Sequence, residues 1–346
     1  MKVGIAGIGF MGWIHWLGYQ RVAGADVAAI CTRDEKKRAG DWTSIKGNFG
    51  PPGEHVDLTG IAAYANMDDM LADPSLDLID ICLPPDMHEQ VAVRALEAGK
   101  HVLCEKPMAL TTSACERMVS VAAANDRQIL VAHVLPFLPE YAFVRNAVAN
   151  HDFGAILGGS FKRVISDPVW LKDFFNPETV GGPLVDLHVH DAHFIRLLFG
   201  MPASLISQGR LRGEVVEYCH TLFQFDNQDL VVSATSGVIN QQGRGFTHGF
   251  EIHFEKATLQ FEFAMIGDDA VTLLPLTVLG ADGDVQRPER GDGDMVLAFE
   301  GEIAETRRAV ESNAPSHLLS GELARDAILL CHKQTESVKS RNLVRV

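Results

Sequence analysis

An α/β protein of two domains is what this sequence predicts: a doubly wound parallel sheet first, then an α+β domain built on an antiparallel sheet. Three observations carry that prediction. The chain is 346 residues long, beyond the size at which a single hydrophobic core usually keeps growing. In its first third, short apolar runs alternate with helical stretches, which is the pattern of parallel β-α-β units. Later, strand-like runs follow one another with turn signals between them, as neighbours in an antiparallel sheet do. The expected division is 1–134 and 135–346.

Taken in order, residues 3–8 form an apolar run stopped by glycines, and residues 13–22 have helical character, so the chain opens as strand, tight turn, helix. Further strands are expected at residues 26–31, 76–83, 101–104 and 128–134, with helices at 67–72, 88–98 and 111–125. A breaker-rich stretch, residues 47–53, is expected to be a surface loop near the far end of whatever the first domain binds. Past residue 134 a helix at 141–149 leads into strands at 157–164, 205–209, 218–225, 230–237, 250–254 and 258–263. A Gly- and Asp-rich loop at 280–294 precedes two long C-terminal helices, 294–313 and 321–339.

Composition narrows the function. Hydrophobic residues at 47% and charged residues at 22% are ordinary globular values. A net charge of -15 repels phosphate backbones and anionic lipid, and no basic cluster offsets it, so neither nucleic acid nor membrane is an expected partner. The six cysteines show no metal-finger spacing and read as free thiols of a reducing compartment. The opening residues enter a strand pattern at once, without a signal-peptide pattern, and a cytoplasmic location is expected.

Gly7-Ile8-Gly9-Phe10-Met11-Gly12 is a G-x-G-x-x-G between an expected strand and an expected helix. That context makes it a dinucleotide fingerprint of a Rossmann domain. Gly7 serves the tight turn, Gly9 lets the backbone approach a pyrophosphate, and Gly12 lets the helix pack on its strand. The end of the second strand discriminates cofactors: Thr32 and Arg33 suit a 2′-phosphate, while Asp34 would serve NAD only if it bends back to the ribose. NAD(P) is expected, with NADP slightly ahead. Glu105-Lys106-Pro107 follows another strand and places Lys106 at the carboxyl edge of the sheet, where open α/β sheets bind ligands. Beside a positively charged nicotinamide in a partly dry cleft, a lysine gives up its proton more readily and can serve an alcohol/carbonyl pair.

These motifs, together with Gly181-Gly182-Pro183-Leu184-Val185-Asp186-Leu187-His188-Val189-His190-Asp191, closely resemble the glucose-fructose oxidoreductase / inositol dehydrogenase / rhizopine-catabolism family, Gfo/Idh/MocA. The resemblance covers nearly the whole chain. Leu83 and Pro84, with His88, are similar to the strand-end proline and histidine that border the cofactor in that family, and Glu105 belongs to its Glu-Lys-Pro motif. It implies an open, mostly antiparallel second sheet, homodimers or homotetramers built through that sheet, and a cis bond before Pro107. By position, Asp186 and His190 match the family's substrate-binding aspartate and catalytic histidine, with Lys106 completing the group. If Pro183 opens an α-helix, then Asp186, His190 and His193 fall on one face. His188 points elsewhere and is expected to be structural. Trp170, Lys172 and Asp173 are candidates for a pocket rim.

The chain departs from the family's common pattern at His193, where many members carry Asp, and at Pro136, where many carry Arg. The expected substrate is a sugar, cyclitol or related polyol. Three alternatives stand beside a dehydrogenase: a metal site in the cluster of Asp186, His188, His190, Asp191 and His193; a redox-neutral lyase, hydrolase or epimerase using its cofactor transiently; and a non-catalytic nucleotide sensor. No metal is the expectation, because His188 cannot share the face of His190 and His193.

Overall fold

Six short strands of the N-terminal half pair side by side in parallel, most of them apolar runs of the kind a buried parallel sheet needs. In a computed structural model describing residues 1–171, 173–289 and 293–346, β1 (Lys2–Ala6), β2 (Asp26–Cys31), β3 (Ala62–Tyr64), β4 (Leu78–Ile81), β5 (His101–Glu105) and β6 (Ile129–Ala132) form one sheet in the order β3-β2-β1-β4-β5-β6. This is the Rossmann strand order, with its switch point between β1 and β4. The helices between them are α1 (Phe10–Tyr19), α2 (Glu35–Arg38), α3 (Met67–Leu71), α4 (Pro85–Glu97) and α5 (Thr112–Ala124). The expected strands and helices are present, most with ends shifted by a few residues. β3 and the one-turn α2 are additional, each too short to leave a periodic trace.

Among the described residues the second sheet has nine strands. After α6 (Pro139–Asn150) come β7 (Ile156–Ser166), α7 (Val189–Phe199), β8 (Ser204–Arg212), β9 (Val215–Gln224), β10 (Val231–Ile239), β11 (Phe246–Phe254), β12 (Ala257–Ile266), β13 (Asp269–Gly280) and β14 (Val285–Gln286). The chain ends through α8 (Val296–Ser312), α9 (Gly321–Ser340) and β15 (Val344–Arg345). The strand order is β14-β13-β12-β11-β7-β10-β9-β8-β15, antiparallel except for β7 beside β10. The sheet is thus open and mostly antiparallel, as expected. β13 was not anticipated: its charged and apolar residues do not alternate, because much of it is exposed.

One face of this sheet is buried and the other is not. Phe161, Ala234, Phe250 and Phe261 pair across neighbouring strands on the buried side. The opposite side carries Lys162 paired to Glu262, with Leu222, Val231 and Leu274 exposed along it.

The chain's packing does not follow a single cut. The first compact unit is Met1–Leu138 together with Asp292–Arg325, and the second is Pro139–Gly291 with Asp326–Val346. The expected single boundary after 134 thus differs from the packing for α8, which returns to the Rossmann unit. Val296, Phe299, Ile303 and Ala309 give α8 a buried stripe, and Ile303 lies where a side chain on Gly18 of α1 would have to go. Gln128 before β6 secures it further, its amide donating to the Ala309 carbonyl at 2.7 Å.

The 47–53 stretch is a loop with most of its residues exposed, as expected, and one side chain of it turns inward. It folds onto α1: Phe49 packs edge-on against Phe10 and stacks on Phe299, while Trp13 donates to the Pro51 carbonyl. Contact with the two rings shields part of the Phe49 surface that the loop would otherwise expose. Part of the 280–294 loop, residues 290–292, lies outside the described residues, as does Lys172. Among the described residues no helix is long and apolar enough to cross a membrane.

Candidate active site

The glycine loop leaves the carboxyl end of β1 and turns into α1. Gly7 has φ +99, and a side chain there would meet the Cys82 carbonyl at 2.5 Å. A Cβ on Gly12 would meet the Gly7 carbonyl at 2.1 Å. Both positions therefore demand glycine for packing. Gly9 is different: a Cβ there would meet nothing within 4 Å, so its glycine serves space kept open outside the protein. Helix α1 has no side-chain cap and no acid in its first turn, leaving the N–H groups around Ile8, Phe10 and Met11 and the positive helix end for an anion. An open cradle at an uncapped helix end fits a dinucleotide pyrophosphate.

Beyond β2, Asp34 spends its carboxylate capping α2, accepting from the backbone N–H of Lys36 and Lys37. Arg33 is exposed, and the Lys37 amine reaches back to the Ile8 carbonyl at 2.7 Å. Thr32 accepts from the Asp34 N–H, while Arg38 donates to the Thr32 carbonyl. The sequence alone did not single out Lys37. Its signal was a lysine one turn beyond the end of β2.

The loops after β4 and β5 are tied together by His88. One ring nitrogen lies 2.8 Å from the Leu83 carbonyl beside Pro84, the other 2.8 Å from that of Pro107. His88 was expected to border the cofactor, but it is fully buried and braces these two loops from behind. Burial pushes its pKa down, against the pull of the two carbonyls. The Lys106–Pro107 bond is cis, as the resemblance implies. Glu105, at the end of β5, accepts the Lys106 backbone N–H at 2.9 Å, and Lys106 stands on the same carboxyl edge as the glycine loop.

In the second unit, the turn from Leu184 to His188 is a π-helix, and α7 begins only at Val189. The wider i→i+5 turn offsets Asp186 from the α-helical register, so Asp186, His190 and His193 do not share the single α-helical face expected of them. His193, expected at the substrate, is fully buried, whereas from Gly182 to Ile195 every residue except the half-buried Asp186 and His190 is buried. Their neighbours are committed elsewhere. Asp191 receives both ends of the Arg163 guanidinium, at 2.8 and 3.1 Å, in a fully buried fork that anchors α7 to β7. His188 meets the Gln334 amide at 3.0 Å, and burial pushes its pKa down to about 4, against the pull of Asp191.

Trp170 is 65% exposed between the similarly exposed Val169 and Leu171. Its segment is held from one side by Arg212, which pairs with Asp167 at 2.6 Å and lies over the Phe175 ring. Asp173 follows in the same segment, and Lys172 is outside the described residues. Pro136 is buried in a short 3-10 turn, so it supplies shape there rather than charge.

Fold and fingerprint together define a nicotinamide-dinucleotide-binding protein of the two-unit oxidoreductase type. Family models agree along most of the chain: residues 1–133 match the oxidoreductase family with NAD-binding Rossmann fold, and 141–260 match the GFO/IDH/MocA C-terminal domain. The chain belongs to the Gfo/Idh/MocA family.

An uncharacterised oxidoreductase of Rhizobium meliloti is 35% identical over 40% of this chain, a match spanning 41% of that relative's own length. The 1,5-anhydro-D-fructose reductase of Ensifer adhaerens is 27% identical over 72% of this chain and 74% of its own. The solved structure of a levoglucosan dehydrogenase with NADH and levoglucosan superposes with a TM-score of 0.79 at 20% identity, covering 100% of this chain and 99% of that one, and shows a shared fold.

Proposed function

We propose that this chain is an NAD(P)-dependent dehydrogenase or reductase acting on a CH–OH or C=O group of a sugar, cyclitol or related polyol. The observation that carries this is Lys106: an ammonium at the carboxyl edge of β5, on the edge where Gly9 keeps an anion cradle open. When bound, the nicotinamide supplies or accepts the hydride. Lys106 gives or takes the proton of the reacting hydroxyl. His190 shares that proton task and Asp186 binds a substrate hydroxyl, a role supported by their being the two half-buried side chains of an otherwise buried segment. Trp170 and Asp173 serve the rim. The Ensifer reductase and the levoglucosan dehydrogenase point to the same substrate class.

NADP is favoured over NAD. Asp34 is turned into the α2 cap, away from a ribose-binding role, while Arg33 and Lys37 bring positive charge to the end of β2. Self-association as a homodimer or homotetramer through the uncovered sheet face is supported by Leu222, Val231 and Leu274 on that face. Free thiols at all six cysteines suit a cytoplasmic setting. The test is titration with NADH and NADPH followed by an absorbance screen against sugars and cyclitols. Substrate-dependent change at the nicotinamide band is expected, with tighter binding of NADPH. Binding without any net absorbance change across active turnover would move the assignment to a redox-neutral enzyme.

A further inference from the structure

Inside the Rossmann unit, behind the Lys106 loop, one imidazole is enclosed by carboxyl groups from three other elements. His15 on α1 places Nδ1 2.8 Å from Asp80 Oδ2 on β4 and Nε2 3.1 Å from Glu105 Oε1 at the end of β5. Glu302 on α8 stands 3.9 Å from the same Nε2. All of these side chains are buried. The Cys82 thiol completes the group, donating to the other Asp80 oxygen at 3.5 Å, and Tyr19 lies one turn further along α1.

The charge state follows from the geometry. A neutral imidazole has one N–H and one lone pair, and here a lone pair would face a carboxylate oxygen on one side. With Asp80 and Glu105 ionised, the ring carries both protons and donates to both acids. Burial opposes this, and the Asp80 charge and hydrogen bond outweigh it, so the His15 pKa stands well above its ordinary range. Glu302 behaves oppositely. Neither of its oxygens has a hydrogen-bond partner, and burial raises its pKa well above the ordinary range.

His15, Asp80 and Cys82 also have atoms close enough to suggest a metal triad. The contacts are hydrogen-bond contacts, however, and burial holds the Cys82 thiol far above its ordinary range, so it stays protonated.

We propose that His15 is a positioning residue for Lys106. Clamped between Asp80 and Glu105, it holds Glu105 so that the second carboxylate oxygen accepts the Lys106 N–H, fixing the backbone from which that lysine projects. His15 lies one turn beyond Gly12, on the helix whose first turn faces the pyrophosphate, so the clamp ties the cofactor cradle to the lysine loop. Its bearing on turnover rests on the reading of Lys106 as the proton-handling group, and the experiment separates the two.

Amide hydrogen exchange at Lys106 reads the clamp without any turnover. In full-length H15Q, exchange at Lys106 is expected to speed up roughly tenfold or more while Val102 to Cys104 in β5 stay protected. The same variant is expected to lose about tenfold or more in kcat with its NADPH affinity kept. E105Q is the second variant. It preserves volume but replaces one of the two acceptor oxygens by a donor, and it is expected to behave alike. Unchanged exchange at Lys106 in both folded variants overturns the proposal whatever the activity. Faster exchange, combined with a K106M enzyme of full activity, would uphold the clamp and remove the catalytic reading of Lys106.

Discussion

Gly9, at the start of α1, and Gly12, in its first turn, sit three residues apart, and alanine should do opposite things at the two. At Gly9 the backbone has φ −103 and ψ −158, extended values open to any residue, and a Cβ meets nothing within 4 Å. G9A should therefore fold as well as the parent, or gain ~0.4–1 kcal/mol through a less free unfolded chain. The methyl group instead occupies the space through which a phosphate oxygen reaches the loop amides. Losing one charge-assisted hydrogen bond costs about 1.5–3 kcal/mol, which weakens cofactor affinity roughly 10- to 150-fold.

At Gly12 the new Cβ would stand 2.1 Å from the Gly7 carbonyl, against the 3.0 Å that real contacts respect. The backbone must shift, costing about 1–3 kcal/mol or more. Urea denaturation without cofactor, paired with calorimetric titration of NADH and NADPH, reads both effects. If G9A bound either nucleotide with parental affinity, or lost stability as G12A does, the assignment of Gly9 to the pyrophosphate would fail.

Other outcomes follow from the same geometry. K37A should weaken NADPH by about tenfold while sparing NADH; equal losses for both nucleotides, measured by fluorescence titration, would count against a 2′-phosphate role. R163M leaves Asp191 buried without its partner and should cost ~3–5 kcal/mol, much of it regained in R163M/D191L; a denaturant-measured double mutant near additivity would say that the fork does not anchor α7. His188 is neutral in the folded protein down to about pH 4, while the unfolded chain protonates it near 6.5. Between those values the unfolded state binds more protons, so stability rises with pH and up to about 3 kcal/mol is lost as pH falls through the window. H188Q should flatten that slope in urea melts taken from pH 4 to 7, and an unchanged slope would place the titration elsewhere.

The second unit shows where a sequence pattern misleads. Asp186, His190 and His193 fit an α-helical face on paper, yet a five-residue π-helix precedes α7 and His193 ends up inside. Nothing in Leu184–His188 announces a π turn, because no residue type requires one. His88 shows a different miss: its place after Leu83-Pro84-Pro85 was legible, but the carbonyls that claim both ring nitrogens come from loops 19 and 5 residues away.

Other parts were decided locally and could be read locally. The Gly7–Gly12 turn depends on φ and on a strand-to-helix context that a short window of sequence shows, and five of the six parallel strands, all but the short β3, announce themselves as apolar runs. Those local rules determine the first sheet, its glycine loop and the address of Lys106. The return of α8 to the Rossmann unit and the enclosure of His15 by Asp80, Glu105 and Glu302 depend on packing between segments up to 287 residues apart, the separation of His15 and Glu302 (302 − 15). A buried acid in the apolar strand Leu78-Ile79-Asp80-Ile81 was the one hint of that enclosure. Its partner could not be named from the sequence, because a charge in a core is made tolerable by whichever groups the tertiary fold brings to it.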